Sequence, residues 1–167
     1  NPTLVANQGI NYLELITQIA EEYPEMESIS AEVNGNTAAE MIDDAAKFRD
    51  ISEAVTIKLP MTKEGLKACK YFSEVGVKTN VTLCFSVAQA ALAGIAGATY
   101  ISPFVGRLND NSFSGVELVR GIADLYCTQA IETKVLAASL RDVHHVSRCF
   151  LYGAKVCTLP IKVFDKM

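Results

Sequence analysis

The 167-residue chain holds no apolar run approaching the roughly 20 residues that cross a bilayer, so no membrane partner is expected. It has no basic block either. Fifteen lysines and arginines against 19 aspartates and glutamates leave a formal net charge of −4, and nucleic acid is not an expected partner. Cysteines are few and irregular: Cys69, Cys84, Cys127, Cys149 and Cys157 are odd in number, and none stands in a C-x-x-C pair. That argues against a disulfide framework and against a zinc site, and leaves the thiols as packing residues. No G-x-G-x-x-G follows any strand-like run, which removes the usual dinucleotide fingerprint. The opening "NPTLVANQGINY" has no charged stretch leading into an apolar one, so no secretory leader is read and a cytoplasmic location is expected. What is present is an ordinary globular composition, half of it hydrophobic, at a length that suits one domain over residues 1–167.

Short runs rich in Val, Ile and Thr, flanked by Gly, Pro or Asn, read as strands at 27–33, 54–60, 78–85, 99–104, 134–139 and 155–160. Amphipathic helices fill the gaps. Thr37 to Glu40 and Ser86 to Gln89 have the spacing of capping boxes, which open helices just after two of the strands. Met41, Ala45 and Phe48 share one helical face, as do Leu66, Cys69, Phe72 and Val75 in the next helix. Gly76, Gly97 and Gly153 stand where C′ glycines close helices. The βαβα order predicts a parallel sheet covered by helices, either doubly wound or a (β/α)₈ barrel.

Polar residues favour the barrel. Glu32, Lys58, Thr82, Ser102 and Ser139 each stand near the C-terminal end of a different predicted strand, 26, 24, 20 and 37 residues apart. Thr56 and Lys58, Asn80 and Thr82, Ser102 and Phe104, and Ala137, Ser139 and Arg141 are two apart and so are predicted to share the inner face. In a barrel these residues converge at one mouth, where active sites are built. Lys58 in "VTIKLP" is the unusual member. It is either a strand-end lysine with a buried stem or a nucleophile released from its proton by desolvation and nearby cations. A free amine attacks a ketone to form a Schiff base, whose iminium withdraws electrons so that a neighbouring C–C bond can break through an enamine.

The stretches "NPT" (1–3), "AEV" (31–33), "IKLPMTKEGL" (57–66), "NVTLCFSVAQA" (80–90), "ISPFVGRLND" (101–110) and "LAASLRD" (136–142), in this order and spacing, resemble the transaldolase family. The likeness is strongest to its short, single-barrel members related to fructose-6-phosphate aldolases. It runs over essentially the whole chain and implies a (β/α)₈ TIM barrel. By resemblance, Lys58 is the Schiff-base residue, and Glu32 and Thr82 hold the water that shuttles protons. Asn1 and Ser102 bind dihydroxyacetone hydroxyls, and Arg107, Ser139 and Arg141 form the phosphate site. Phe104 stands where a tyrosine accompanies free aldolase behaviour and a phenylalanine accompanies group transfer; Glu32 stands where aldolase-type members carry glutamine. The implied enzyme is a transaldolase of the pentose phosphate pathway. It would move dihydroxyacetone from sedoheptulose 7-phosphate or fructose 6-phosphate to an aldose phosphate, with no metal or other cofactor. A homo-oligomer, as in the family's ring pentamers and decamers, is the implied assembly.

Against the family pattern, the chain starts at the Asn of the second strand's Thr-Thr-Asn-Pro segment and ends just after the eighth strand. The first strand, with the aspartate that serves as general acid/base in the C–C step, and the C-terminal helix are expected to be missing. Leu140 replaces the usual aromatic. Two other readings therefore stand beside transaldolase: a fructose-6-phosphate aldolase, and a non-catalytic fragment. Outside this pattern, His144 and His145 are neighbours on a predicted helix and do not share a face as metal ligands would. "GRLNDNSFSG" (106–115) lacks the Gly-Lys-Ser/Thr of a P-loop and is read as the loop carrying Arg107. Glu21, Glu22, Glu25 and Glu27 are read as a solvated helix end, and Asp43 and Asp44 as solvent-facing.

Overall fold

A computed structural model of the chain describes Val5 and residues 9–167. In chain order its elements are α1 (Tyr12–Glu22), β1 (Ile29–Glu32), α2 (Ala38–Arg49), β2 (Val55–Pro60), α3 (Lys63–Glu74), β3 (Thr79–Cys84) and α4 (Val87–Ile95). There follow β4 (Tyr100–Pro103), α5 (Val105–Asn109), α6 (Gly115–Thr128), β5 (Lys134–Ala137), α7 (Val143–Leu151), β6 (Val156–Cys157) and α8 (Ile161–Phe164). Six parallel strands pair in the order β1-β2-β3-β4-β5-β6. All six strands predicted from the sequence are present, each shorter than its apolar run because pairing ends before the run does.

The sheet is rolled into a partial barrel. In a flat sheet β1 and β5 would lie about 19 Å apart, four strand spacings. Yet Glu27, just before β1, accepts from Lys134 Nζ at the start of β5 at 2.5 Å, and from the Tyr100 phenol at 3.4 Å. Lys78 Nζ also donates to the Glu27 carbonyl at 3.1 Å. Glu27 is thus a tie across the N-terminal end of the sheet as well as an exposed residue of the acidic cluster. Among the described residues no helix is long and apolar enough to cross a membrane.

Alternation along the strands separates two faces. Outward, Ile29 and Ala31, Val55, Ile57 and Leu59, Val81, Ile101, and Val135 and Ala137 pack against the helices in the main core, together with Phe48 and Phe72. Ile57, Leu59 and Phe72 are wholly buried, and each such side chain contributes about 1.5–3 kcal/mol. Inward there is a small apolar cluster of Tyr100, Leu136 and Ala138 with Phe104 and Val156, and otherwise polar side chains. Ala137 corrects the sequence reading: it lies in the outer core at 0% exposure, and the inward residues of β5 and its extension are Leu136 and Ala138.

Helix starts follow the sequence closely. Thr37 and Glu40 make a full capping box on α2. At α4, Ser86 Oγ accepts from Gln89 N at 3.2 Å, but the Gln89 side chain accepts from Phe85 N at 2.7 Å, one residue outside the expected box. Cys69, Cys84 and Cys149 are buried as packing residues, whereas Cys127 is exposed. Asp44 is half-buried and accepts from Asn34 N at 2.9 Å instead of facing solvent alone.

Candidate active site

The strand register sets the site. Glu32, Lys58 and Asn80 are neighbours across β1, β2 and β3, and all three point inward. Lys58 Nζ donates to Glu32 Oε2 at 2.8 Å, with the two side chains 19% and 30% exposed. Its nearest charge is therefore an anion, where the sequence reading expects cations. The Glu32 backbone is pinned as well. Its N–H, on the side of β1 away from β2, donates to the Tyr12 phenol at 2.8 Å, and burial raises that phenol's pKa so that it stays protonated.

Beside Lys58 runs a seam of neutral hydrogen bonds. Asn80 Nδ2 donates to Ser30 Oγ at 3.2 Å and Asn80 Oδ1 accepts from Ser102 Oγ at 2.7 Å, linking β1, β3 and β4 across the inner face. Asn80 and Ser102 are each 2% exposed. The buried Thr82 hydroxyl has no partner among the described residues. These side chains, with Phe104, Arg107 and Ser139, line one cleft of about 530 Å³. A buried, unsatisfied hydroxyl facing such a cleft is a ready partner for a water or a ligand oxygen.

The other end of the cleft is built from the β4–α5 and β5–α7 connections. The Phe104 ring meets Phe85 edge-on at 5.8 Å, and the Arg107 guanidinium lies 4.9 Å from the centre of the Phe104 ring. Ser139 has φ of 60°, a left-handed conformation that ends the strand alternation and turns its side chain into the cleft. Gly106 N donates to Ser139 O at 3.0 Å, and a β-carbon at Gly106 would sit 2.3 Å from that oxygen, so glycine is what allows the two connections to touch. Arg141 points its fork at Asp110, holding that carboxyl below its ordinary range and raising its own pKa in return.

Six of the residues expected from the sequence, Lys58, Thr82, Ser102, Phe104, Arg107 and Ser139, thus meet at one cleft, and Glu32 joins them through Lys58. Arg141 stands beside the cleft, engaged by Asp110, and is not in its lining. Asn1 lies outside the described residues. The sequence reading placed Asn80 on the inner face with Thr82 without giving it a role, and it missed Ser30 and Thr158 as lining residues. Among the described residues no three His, Cys, Asp or Glu side chains converge as metal ligands would.

The family model for Transaldolase/Fructose-6-phosphate aldolase matches residues 1–167. The chain belongs to this family. It is 50% identical to a probable transaldolase 2 of Bacillus anthracis over 172 aligned residues, covering 100% of this chain and 78% of that protein. It is 47% identical to a probable transaldolase of Shouchella clausii, covering 100% of this chain and 76% of the relative. A probable transaldolase of Caulobacter vibrioides is likewise 47% identical over 100% of this chain and 76% of its own length. For the transaldolase/aldolase family the rolled parallel sheet is the framework of a β/α barrel, and the cleft opens where barrel active sites do, at the C-terminal ends of the strands.

Proposed function

We propose that this protein is a transaldolase that carries a dihydroxyacetone unit on Lys58 from a ketose phosphate to an aldose phosphate. The observation that carries the reading is the Lys58–Glu32 pair, 2.8 Å apart, beside a cleft lined by Asn80, Thr82 and Ser102. Lys58 attacks the C2 carbonyl of fructose 6-phosphate or sedoheptulose 7-phosphate, and the resulting carbinolamine loses water to give an iminium. As the C4 hydroxyl gives up its proton to water in the cleft, the C3–C4 bond breaks and its electron pair forms the C2–C3 double bond of the enamine, leaving the nitrogen neutral. The proton returns to the acceptor's carbonyl oxygen in the reverse step. The shortened aldose phosphate departs. The enamine then attacks the carbonyl carbon of a second aldose phosphate, and hydrolysis of the new iminium frees Lys58.

Each neighbour has a task in this scheme. In this scheme Glu32, 2.8 Å from Lys58 Nζ, takes the proton that Lys58 loses before it attacks, and the Thr82 hydroxyl, without a partner among the described residues, offers a hydrogen bond to the water eliminated and later restored. Ser102 and Asn80 present a polar wall for the hydroxyls of the retained unit. Arg107 and Ser139, with Arg141 beside them, supply fork and hydroxyl donors suited to the phosphate oxygens. Phe104 brings no hydroxyl near the enamine, which favours keeping the three-carbon unit until an acceptor arrives. The runner-up is a fructose-6-phosphate aldolase, an activity that the family's description also covers.

Incubation with fructose 6-phosphate and borohydride, followed by intact-mass measurement, tests the reading. The expected product is one reduced dihydroxyacetone unit on Lys58, absent in Lys58→Met. No adduct on the wild type under any substrate concentration would sink it. Release of free dihydroxyacetone without an acceptor aldehyde would move the assignment to the aldolase.

A further inference from the structure

Two segments bring arginines to the anion end of the cleft, α5 with Arg107 and the β5–α7 connection with Arg141, and one histidine spans them. Asn109, the last residue of α5, accepts at Oδ1 from Gly115 N at 2.8 Å, which fixes the orientation of its amide. Its Nδ2 therefore donates to His145 Nε2 at 2.9 Å. Nε2 must be the unprotonated ring nitrogen, which leaves the proton of a neutral ring on Nδ1, facing Asp142 Oδ2 at 3.7 Å. The 3.4 Å approach of Arg141 N to Nδ1 is then a contact between donors and not a second bond. From the other side, His145 N donates to Asp142 Oδ1 at 2.7 Å, which anchors the histidine at the first turn of α7, directly after Arg141. The ring is shielded, at 12% exposure, while neighbouring His144 is exposed.

We infer that His145 is a positioning residue for the phosphate end of the site: by accepting from Asn109 it holds the Arg107 helix and the Arg141 connection at one separation. The inference rests on reading Arg107, Ser139 and Arg141 as phosphate-binding. A bidentate guanidinium fork and a phosphate match only within a narrow geometry, so a shift between the two segments weakens the contacts to the anion even though the histidine touches no ligand. The Asp110–Arg141 pair is a second tie across the same junction. It is half-exposed and salt-screened, whereas the histidine's bond is shielded and neutral.

Calorimetric titration with inorganic phosphate, with steady-state kinetics on fructose 6-phosphate and on unphosphorylated fructose, compares the wild type with His145→Ala, His145→Gln, His144→Ala and Arg107→Ala. The loss of one neutral hydrogen bond corresponds to about a fivefold weakening. His145→Ala is expected to weaken phosphate by that factor and to raise KM for the phosphorylated sugar, with kcat and the unphosphorylated sugar unaffected. His145→Gln, whose amide oxygen can accept from Asn109, restores both, and His144→Ala matches the wild type. If the wild type binds phosphate, Arg107→Ala weakens it and His145→Ala does not, this inference is overturned alone. The same holds if the glutamine variant, folded by its thermal midpoint, behaves like alanine. If the wild type binds no phosphate, the anion-site reading falls first and this inference with it.

Discussion

Replacing Asn80 by alanine would measure what the hydrogen-bonded seam across the inner face contributes. The side chain is 2% exposed and holds two hydroxyls, Ser30 at 3.2 Å and Ser102 at 2.7 Å. Two neutral hydrogen bonds contribute about 2 kcal/mol net. The larger effect is unequal between the partners. Ser102, also 2% exposed, keeps a buried hydroxyl with its acceptor gone, which costs about 1–3 kcal/mol, whereas half-buried Ser30 can turn to water. The two contributions overlap, and the expected loss is about 3 kcal/mol, or about 6–12 °C in thermal midpoint at this chain length. Urea and thermal unfolding followed by circular dichroism would read it, alongside Ser30→Ala and the double variant. Ser30→Ala alone should cost about 0.5–1 kcal/mol and add little once Asn80 is gone, because its partner is already missing. A loss below about 1 kcal/mol for Asn80→Ala, or full additivity in the double variant, would refute the idea that the three side chains form one closed network.

Phe104→Tyr places a phenol beside the enamine carbon in the proposed scheme, and acceptor-free release of dihydroxyacetone from fructose 6-phosphate should rise relative to transfer in a coupled assay. Gly106→Ala would push a β-carbon to 2.3 Å from Ser139 O and 2.7 Å from Arg141 Nε; a loss of about 1–3 kcal/mol is expected in denaturant titration, together with a higher KM for phosphorylated sugar. In a thiol titration of the native protein, exposed Cys127 should react first. Cys84 and Cys149, whose thiols burial pushes up to about 11 and about 12, should stay silent near neutral pH until unfolding.

How much of this was legible beforehand depends on the distance over which each feature is decided. Strands and helix starts are decided within a few residues, and the β-branched runs and the Thr37–Glu40 box announced them. The Lys58 and Thr82 positions followed from period-two counting. Counting failed where the backbone leaves the period: Ser139 at φ 60° breaks the alternation expected of Ala137. Leu83 at φ 63° with a register shift between Val81 and Cys84 likewise takes Cys84 out of step with Asn80 and Thr82, into the core as the packing residue it was read to be. Long-range ties were not legible at all. Glu27 meets Lys134 107 residues later, and Arg141 meets Asp110 31 residues earlier, and no local pattern marks either pair.

The separation of the strands into an apolar outer face and a polar inner face has a consequence for how sequence change is read in this protein. On β2, Val55, Ile57 and Leu59 answer to the helices, while Thr56 and Lys58 between them answer to the interior; on β3, Val81 and Asn80 divide in the same way. Adjacent codons therefore carry different selective tasks. A conservative exchange at Ile57 bears on how stably the molecule stays folded, whereas an exchange one position along, at Lys58, bears on the cleft and on the chemistry proposed for it. Variation accumulated at outward positions can thus set the working temperature of the protein while leaving the cleft intact, and the cleft can be varied at inward positions outside the Asn80 seam without reopening the core.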